Sequence, residues 1–454
     1  MFIGRKAELE QLNEVFESAS GSAVVLYGRY GIGKTALSLY FARERKHFYY
    51  CARELSEREQ AAELIEELGG TLSGEDIAFE VFKAVKGLVE KNEEDKTVII
   101  FDEFQYMIKY GDAFNIALTS LLGDEGLSGR VMFLLLSSSV NWVENSMVTD
   151  LGTFARKLSG IIKLKELSFV ETVDLFPGMS TESVIYTWAI FGGVPGMLTC
   201  WDPKKDLHEN VCSLFLSPTA PLFAEAPRLL KAELRELPAY NAILTTMAQG
   251  NYKLNDIYER TAFSRAKISV YIKNLIELDV VEKVFSMETG DHENVKKGMY
   301  SIKDGFLRFW YRYVFRNLSL IEQNKGEQVY FEKILTTFDD FMRERFAEIC
   351  LEYMKLMSEL GKLSAKYETW GKWHGKTGDI DIVANDGEDR MLAGFCDFSD
   401  NSVDVGNLGE YRKLLKLAGV EKCEMFIFAK SGFSLGLKSE AEKDNIRLIN
   451  MDEL

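Results

Sequence analysis

Residues 22–45 read SAVVLYGRYGIGKTALSLYFARER. A run of apolar, β-branched residues ends at a glycine, a short glycine-rich turn follows, and helix-forming sequence begins at Lys34. The turn, GRYGIGKT, satisfies G-x-x-x-x-G-K-[ST] with Gly28, Gly33, Lys34 and Thr35. Glycines alone would mean only a tight turn. Between a buried strand and a helix, however, this spacing lets backbone N–H groups close around phosphates that also rest on a helix N-terminus. The predicted cradle comprises Gly28, Gly31, Ile32, Gly33, Lys34, Thr35 and Ala36. Lys34 neutralises the β and γ phosphates of a nucleotide, and the Thr35 hydroxyl ligates Mg²⁺.

Similar apolar runs recur at 47–52, 96–103, 130–139 and 160–167, with helix-period sequence of 10 to 20 residues between several of them. Short apolar strands alternating with helices predict a parallel sheet covered on both faces. The third run, within VIIFDEFQY, ends in Asp102, which suits the carboxylate of a magnesium site. Glu103 follows it, where a base orients an attacking water. Two acids capping a strand end in solvent are the plainer alternative. An acid beside the magnesium carboxylate separates hydrolytic ATPases from many nucleotide kinases and GTPases, and no NKxD-type guanine reader is visible, so ATP/ADP is the expected nucleotide. The fourth run ends in Ser137, Ser138 and Ser139, either helix caps or, at Ser138, a sensor of the γ-phosphate.

Composition limits the rest. The 454 residues are too many for one ordinary core, and 46% are apolar with seven prolines, which predicts several packed domains rather than disorder. The N-terminus MFIGRKAELEQL lacks a charged start followed by an apolar run, and no stretch approaches membrane-spanning length, so the expected location is cytoplasmic, without membrane contact. The six cysteines form no CxxC pair, which argues against a disulfide framework and a zinc site. A formal charge of −16 repels nucleic acid from most of the surface.

Residues 231–320 are the local exception, with a formal charge of +3 by residue count. Their pattern fits a winged helix-turn-helix. A first helix carries Ile243, Leu244 and Met247, KLNDIYERT forms a second, and SRAKISVYIKNLIEL a third capped by Ser264. The third buries Ile268, Ile272 and Leu275 and turns Arg265, Lys267, Ser269 and Lys273 outward. In DNA readers that helix enters the major groove. A solvated helix face looks the same, so double-stranded DNA is one expected partner and structural use of the module the other. A two-stranded wing follows, with Lys296 and Lys297 near its second strand. The aromatic run in YSIKDGFLRFWYRYVF is expected to pack in a core rather than stack on bases.

In order, FIGRKAELEQL, GRYGIGKT, VIIFDEFQY, LLLSSSV and FGGVPGML resemble the archaeal-type ATPases of the STAND branch of AAA-like P-loop proteins, over nearly the whole chain. The resemblance implies Gly4 and Arg5 near the base or ribose, Pro195 against the nucleotide's other side, and a phosphate-sensing role for Arg156, although alanine precedes it where that family commonly has glycine. It also implies a C-terminal domain similar to PD-(D/E)xK nucleases. There a helix glutamate, a strand aspartate and a Glu-x-Lys pair hold metal and stabilise charge during phosphodiester cleavage. The matching positions are Glu348, Asp379 and Asp381, then Phe395 and Asp397 where Glu and Lys should stand. Asp397 holding metal in a shifted register, or Lys413 or Lys416 supplying the cation, would restore the site. The double substitution predicts loss of cleavage.

The expected architecture is therefore α/β. It comprises an AAA/STAND-like P-loop NTPase domain (1–167), a helical lid (168–230), a winged helix-turn-helix (231–320) and an inactive PD-(D/E)xK-like, restriction-endonuclease-like domain (321–454). The expected activity is slow ATP hydrolysis in a molecular switch. A DNA-processing nuclease, or a regulator acting on a protein partner or by self-association, are the competing classes.

Overall fold

The structure, a computed structural model, describes residues 2–18, 21–92, 95–287, 298–388 and 390–454. Two compact units result: Met1–Glu166 with Val194–Gly196, and Leu167–Gly193 with Met197–Leu454.

The first unit is built on five parallel strands, β1 (Ser22–Tyr27), β2 (His47–Cys51), β3 (Thr97–Asp102), β4 (Val131–Ser137) and β5 (Gly160–Lys163), in the order β2-β3-β4-β1-β5. The three central strands are buried at every residue, while the edge strands β2 and β5 are partly exposed. Unbroken runs of Val, Ile, Leu and Phe suit strands covered on both faces. Full burial of each such side chain contributes about 1.5–3 kcal/mol. The order also places the C-terminal ends of β1, β3 and β4 side by side, which assembles the site described below.

The second unit begins with helices Phe169–Leu175, Thr181–Phe191, Leu207–Phe215 and Glu225–Glu233. Helices Leu237–Ala248, Leu254–Thr261 and Arg265–Glu277 come next, then an antiparallel pair, β6 (Val281–Val284) and β7 (Met299–Ile302). Ile243, Leu244, Met247, Ile268, Ile272 and Leu275 are buried, and Ser264 Oγ accepts the Lys267 N–H at 3.2 Å. Lys296 and Lys297 lie outside the described residues. The aromatic segment forms core: Phe306, Phe309, Trp310 and Tyr311 are almost wholly buried, and the Trp310 indole donates to Phe223 O at 2.9 Å.

The C-terminal part is a mixed sheet in the order β12-β11-β10-β9-β8, formed by β8 (Thr369–His374), β9 (Asp379–Asn385), β10 (Met391–Asp397), β11 (Cys423–Ala429) and β12 (Arg447–Asn450). The β8–β9 and β9–β10 pairs are antiparallel, and β10–β11 and β11–β12 parallel. Helix Phe338–Glu359 precedes it and is tied to helix Thr181–Phe191 through buried Arg345, whose Nε donates to Ala189 O at 3.1 Å while its guanidinium covers the Trp188 ring.

Candidate active site

The glycine loop joins β1 to helix Lys34–Ala42. Gly31 and Gly33 sit at φ 79° and 98°, where a Cβ is strained, so only glycine takes this loop's turn without cost. The Gly196 N–H donates to Gly31 O at 2.9 Å, and a Cβ on Gly33 would lie 3.9 Å from Pro195 Cγ. The GGVP turn therefore meets the loop directly, with Pro195 at the site's edge. From the N-terminal segment, Gly4 and Arg5 are both left-handed, and the buried Arg5 guanidinium donates to Ile32 O at 3.0 Å and pairs with Glu8. Arg5 thus reaches the back of the loop itself.

Lys34 is 5% exposed, and its ammonium donates to Gly28 O at 2.8 Å and Arg29 O at 3.1 Å. Thr35 Oγ1 donates to Asp102 Oδ2 at 2.6 Å, and the Tyr49 hydroxyl donates to the same oxygen at 2.9 Å. Burial and then the Asp102 charge push the Tyr49 phenol well above its ordinary range, so it remains a donor. The oxygens of Thr35 and Asp102 are a hard donor set of the kind Mg²⁺ takes.

Asp102 Oδ1 accepts the Glu103 N–H at 2.9 Å, and Glu103 stands at φ 52°, ψ 42°. A left-handed non-glycine residue costs on the order of 1–3 kcal/mol and occurs preferentially at functional sites. This turn aims the Glu103 carboxylate across to the end of β4. There it accepts the Ser138 hydroxyl, the Ser138 N–H at 3.4 Å, and Gln105 Nε2 at 2.6 Å. The three serines separate by role. Ser137 accepts the Gly28 N–H on its carbonyl at 3.3 Å, and Ser139 caps helix Val140–Asn145. Ser138 bonds the Glu103 side chain. Arg156 is exposed on the turn Gly152–Lys157 and makes no hydrogen bond or ion pair among the described residues.

In the second unit, Glu348 accepts from Arg308 Nη1 at 2.8 Å and from Arg345. Burial pulls its carboxyl up, but Arg308, Arg345 and Lys372 outweigh burial and hold it below the usual range. Asp381 accepts the Cys396 N–H at 2.9 Å; burial raises its carboxyl despite Lys372 nearby. Asp379 pairs with His374 at 3.3 Å, and Asp397 accepts Ser399 N–H and Oγ at the strand end. Phe395 is buried against Tyr411, with ring centroids 4.2 Å apart. The cation acting on both Glu348 and Asp381 is Lys372 of β8, which the sequence reading did not single out. Lys413 is exposed and paired with Glu410, and Lys416 is likewise exposed.

Glu348, Lys372, Asp379 and Asp381 line a cleft of 3110 Å³ bounded by the β6–β7 pair and β8. Lys283, Arg312, Arg316 and Arg343 also line it. On helix Arg265–Glu277, Arg265 bonds Asn255 Oδ1 at 3.2 Å, Lys267 lies 3.7 Å from Glu236, and Lys273 lies 3.5 Å from Glu277. All three cations are exposed, and each has a local polar or acidic partner.

Residues 2–200 match the family described as an ATPase domain predominantly from Archaea, and residues 310–407 match one described as Archaea bacterial proteins of unknown function. An uncharacterized protein of Methanocaldococcus jannaschii is 28% identical over 437 residues, 94% of each chain. Among solved structures, the Walker-type ATPase of Pyrococcus abyssi superposes with TM-score 0.48 at 18% identity, over 68% of this chain and 96% of that one. The Aeropyrum pernix ORC1 protein in complex with DNA gives TM-score 0.36 at 17% identity, over 74% and 95%. No described helix is long and apolar enough to cross a membrane.

Proposed function

We propose that the first unit binds Mg·ATP and hydrolyses it, acting as a STAND-type switch. The observation that carries this reading is the continuous chain of hydrogen bonds from Thr35 through Asp102 and Glu103 to Ser138, set beside the glycine loop and Lys34. Loop amides and Lys34 hold the phosphates, Thr35 and Asp102 hold the metal, Glu103 orients water, and Ser138 couples that carboxylate to the β4 end where a γ-phosphate is sensed. Mg²⁺, when held by Thr35 and Asp102, would supply positive charge to offset the charge that develops on the phosphate oxygens. Pro195 and Arg5 position the loop from either side; Gly4 sets the turn that presents Arg5. The full chain should release phosphate from Mg·ATP, and EDTA should stop it. Background release, with ATP binding intact by calorimetry, would leave a nucleotide sensor without turnover. No binding would end the nucleotide reading altogether.

The remaining parts are then a lid at 168–230, a winged helix at 231–320 and a blunted nuclease fold at 321–454. Loss of cleavage follows from chemistry. The position that should carry a metal carboxylate is Phe395 in the core, and Glu348 is engaged by two guanidinium groups. Mg²⁺- or Mn²⁺-dependent cleavage that disappears in Asp381→Ala would overturn this.

DNA contact is a second reading, favoured by the exposed Arg265, Lys267 and Lys273 on one helix and the cations along the cleft. Anisotropy of a labelled duplex should rise with protein in a nucleotide-dependent way. Affinity should also fall steeply with salt, with a log–log slope of about −0.9 per phosphate neutralised. A duplex that stays free in Mg·ATP, in Mg·ADP and without nucleotide rules DNA out and leaves a protein partner or self-association as the output.

A further inference from the structure

Helix Leu207–Phe215 carries His208 and Cys212 four residues apart, so both side chains leave the same face. A third group meets them from far along the chain. Gly326 lies so close to the carbonyl of Leu216 that a Cβ there has no room, and this contact brings Glu327 over the helix. His208 Nε2 and Glu327 Oε2 are 2.7 Å apart, and one ligand atom from each of His208, Cys212 and Glu327 lies within 4.8 Å of the others. Tyr330 packs its ring 4.5 Å from the imidazole and Phe331 at 5.2 Å, which fixes the imidazole plane. Among the described residues no other group of three histidines, cysteines or acids converges in this way.

We propose that His208, Cys212 and Glu327 form a binding site for a transition-metal dication of the zinc class, clasping helix Leu207–Phe215 to the segment that begins at Gly326. One imidazole nitrogen, one thiolate and one carboxylate oxygen are the donor types that zinc accepts together, with a water completing four-coordination. Sulfur among the ligands selects against Mg²⁺ and Ca²⁺. The absence of CxxC spacing is no obstacle, because the helix supplies two ligands at i and i+4. Small side-chain adjustments suffice: the His208–Glu327 contact must lengthen from a hydrogen bond to a ligand–ligand separation, and Glu327 is 65% exposed and free to swing. A cysteine binds metal as the thiolate, so binding displaces the thiol proton to solvent, and apparent affinity rises with pH while that proton is released.

The test is a cobalt(II) titration of the full chain, freed of metal by chelator and without nucleotide. Thiolate-to-cobalt charge-transfer absorption should saturate at one equivalent and be displaced by zinc. Cobalt at the glycine loop meets only oxygen and produces no such band. The band should vanish in Cys212→Ser and persist in Cys51→Ser and Cys423→Ser. His208→Ala and Glu327→Gln should weaken binding by at least about tenfold, since removal of even an outer partner of a ligand costs 10- to 100-fold. No charge-transfer band, or one that survives Cys212→Ser, overturns the site. Glu327→Gln alters an exposed side chain, so its affinity is read on folded protein even if Cys212→Ser unfolds; unchanged affinity there overturns the three-ligand set.

Discussion

Lys34→Ala is expected to abolish useful nucleotide affinity while leaving the chain folded. The Lys34 ammonium is nearly wholly buried and held over the loop on the carbonyls of Gly28 and Arg29. Its charge is therefore at the loop before any phosphate arrives and loses little freedom on binding. Truncating one partner of a buried, hydrogen-bonded charge pair costs about 2–5 kcal/mol. In affinity this is roughly 30-fold to several thousand-fold, at 1.4 kcal/mol per tenfold. Calorimetry with Mg·ATP should show the loss. Thermal unfolding without nucleotide should shift little, because the two carbonyls Lys34 leaves can bond water that enters the vacated space. A Kd equal to that of the unaltered chain would sink the assignment of the loop as the phosphate site.

The glycine loop was legible because its chemistry is local. Eight consecutive residues at a strand-to-helix turn carry backbone shape, charge and hydroxyl together, and in the structure Lys34 lies on the loop carbonyls while Thr35 reaches Asp102. Asp102 and Glu103 were legible as a pair at a strand end. Their connection to Ser138 was not, because it depends on β3 and β4 being neighbours and on a left-handed turn at Glu103, and a propensity reading assigns neither to a glutamate. Tyr49 was missed for a related reason. It sits near the end of an edge strand whose sequence, HFYYC, suggests only partial burial, and its hydroxyl reaches Asp102 because β2 pairs with β3.

Around the C-terminal sheet Glu348 and Asp381 were singled out from the sequence, but the cation beside both was not. Lys372 comes from β8, across β9 from the expected strand, and only sheet order reveals that its charge falls on Glu348 and Asp381. Arg345 meets Glu348 from three residues earlier on the same helix, whereas Arg308 reaches it from a distant segment, which only packing reveals. Neither arginine was singled out in the sequence. Local patterns thus reported which chemistry each segment can supply, and pairing across segments decided which groups meet.

Glu103→Gln should keep Mg·ATP binding and lower turnover by about 10²- to 10⁴-fold, the range a positioned general base contributes. The substitution is chosen for what it retains. The amide oxygen can still accept the Ser138 hydroxyl, the backbone can hold its left-handed turn, and the N–H can still donate to Asp102 Oδ1. Loss of the negative charge is then the main change, so a fall in kcat without a rise in Kd isolates orientation and proton acceptance from binding. Ser138→Ala provides the contrast. It leaves the charge and removes one hydrogen bond, a net effect of about 0.5–1.5 kcal/mol for an ordinary bond and up to about 3 for one to a charged group. Its turnover should therefore fall less than that of Glu103→Gln. If the two variants act through one carboxylate, the double variant should be no slower than Glu103→Gln alone, because no carboxylate is left for Ser138 to orient. Additive losses would mean that Ser138 senses phosphate independently of Glu103, and undiminished turnover in Glu103→Gln would mean that another group directs the water.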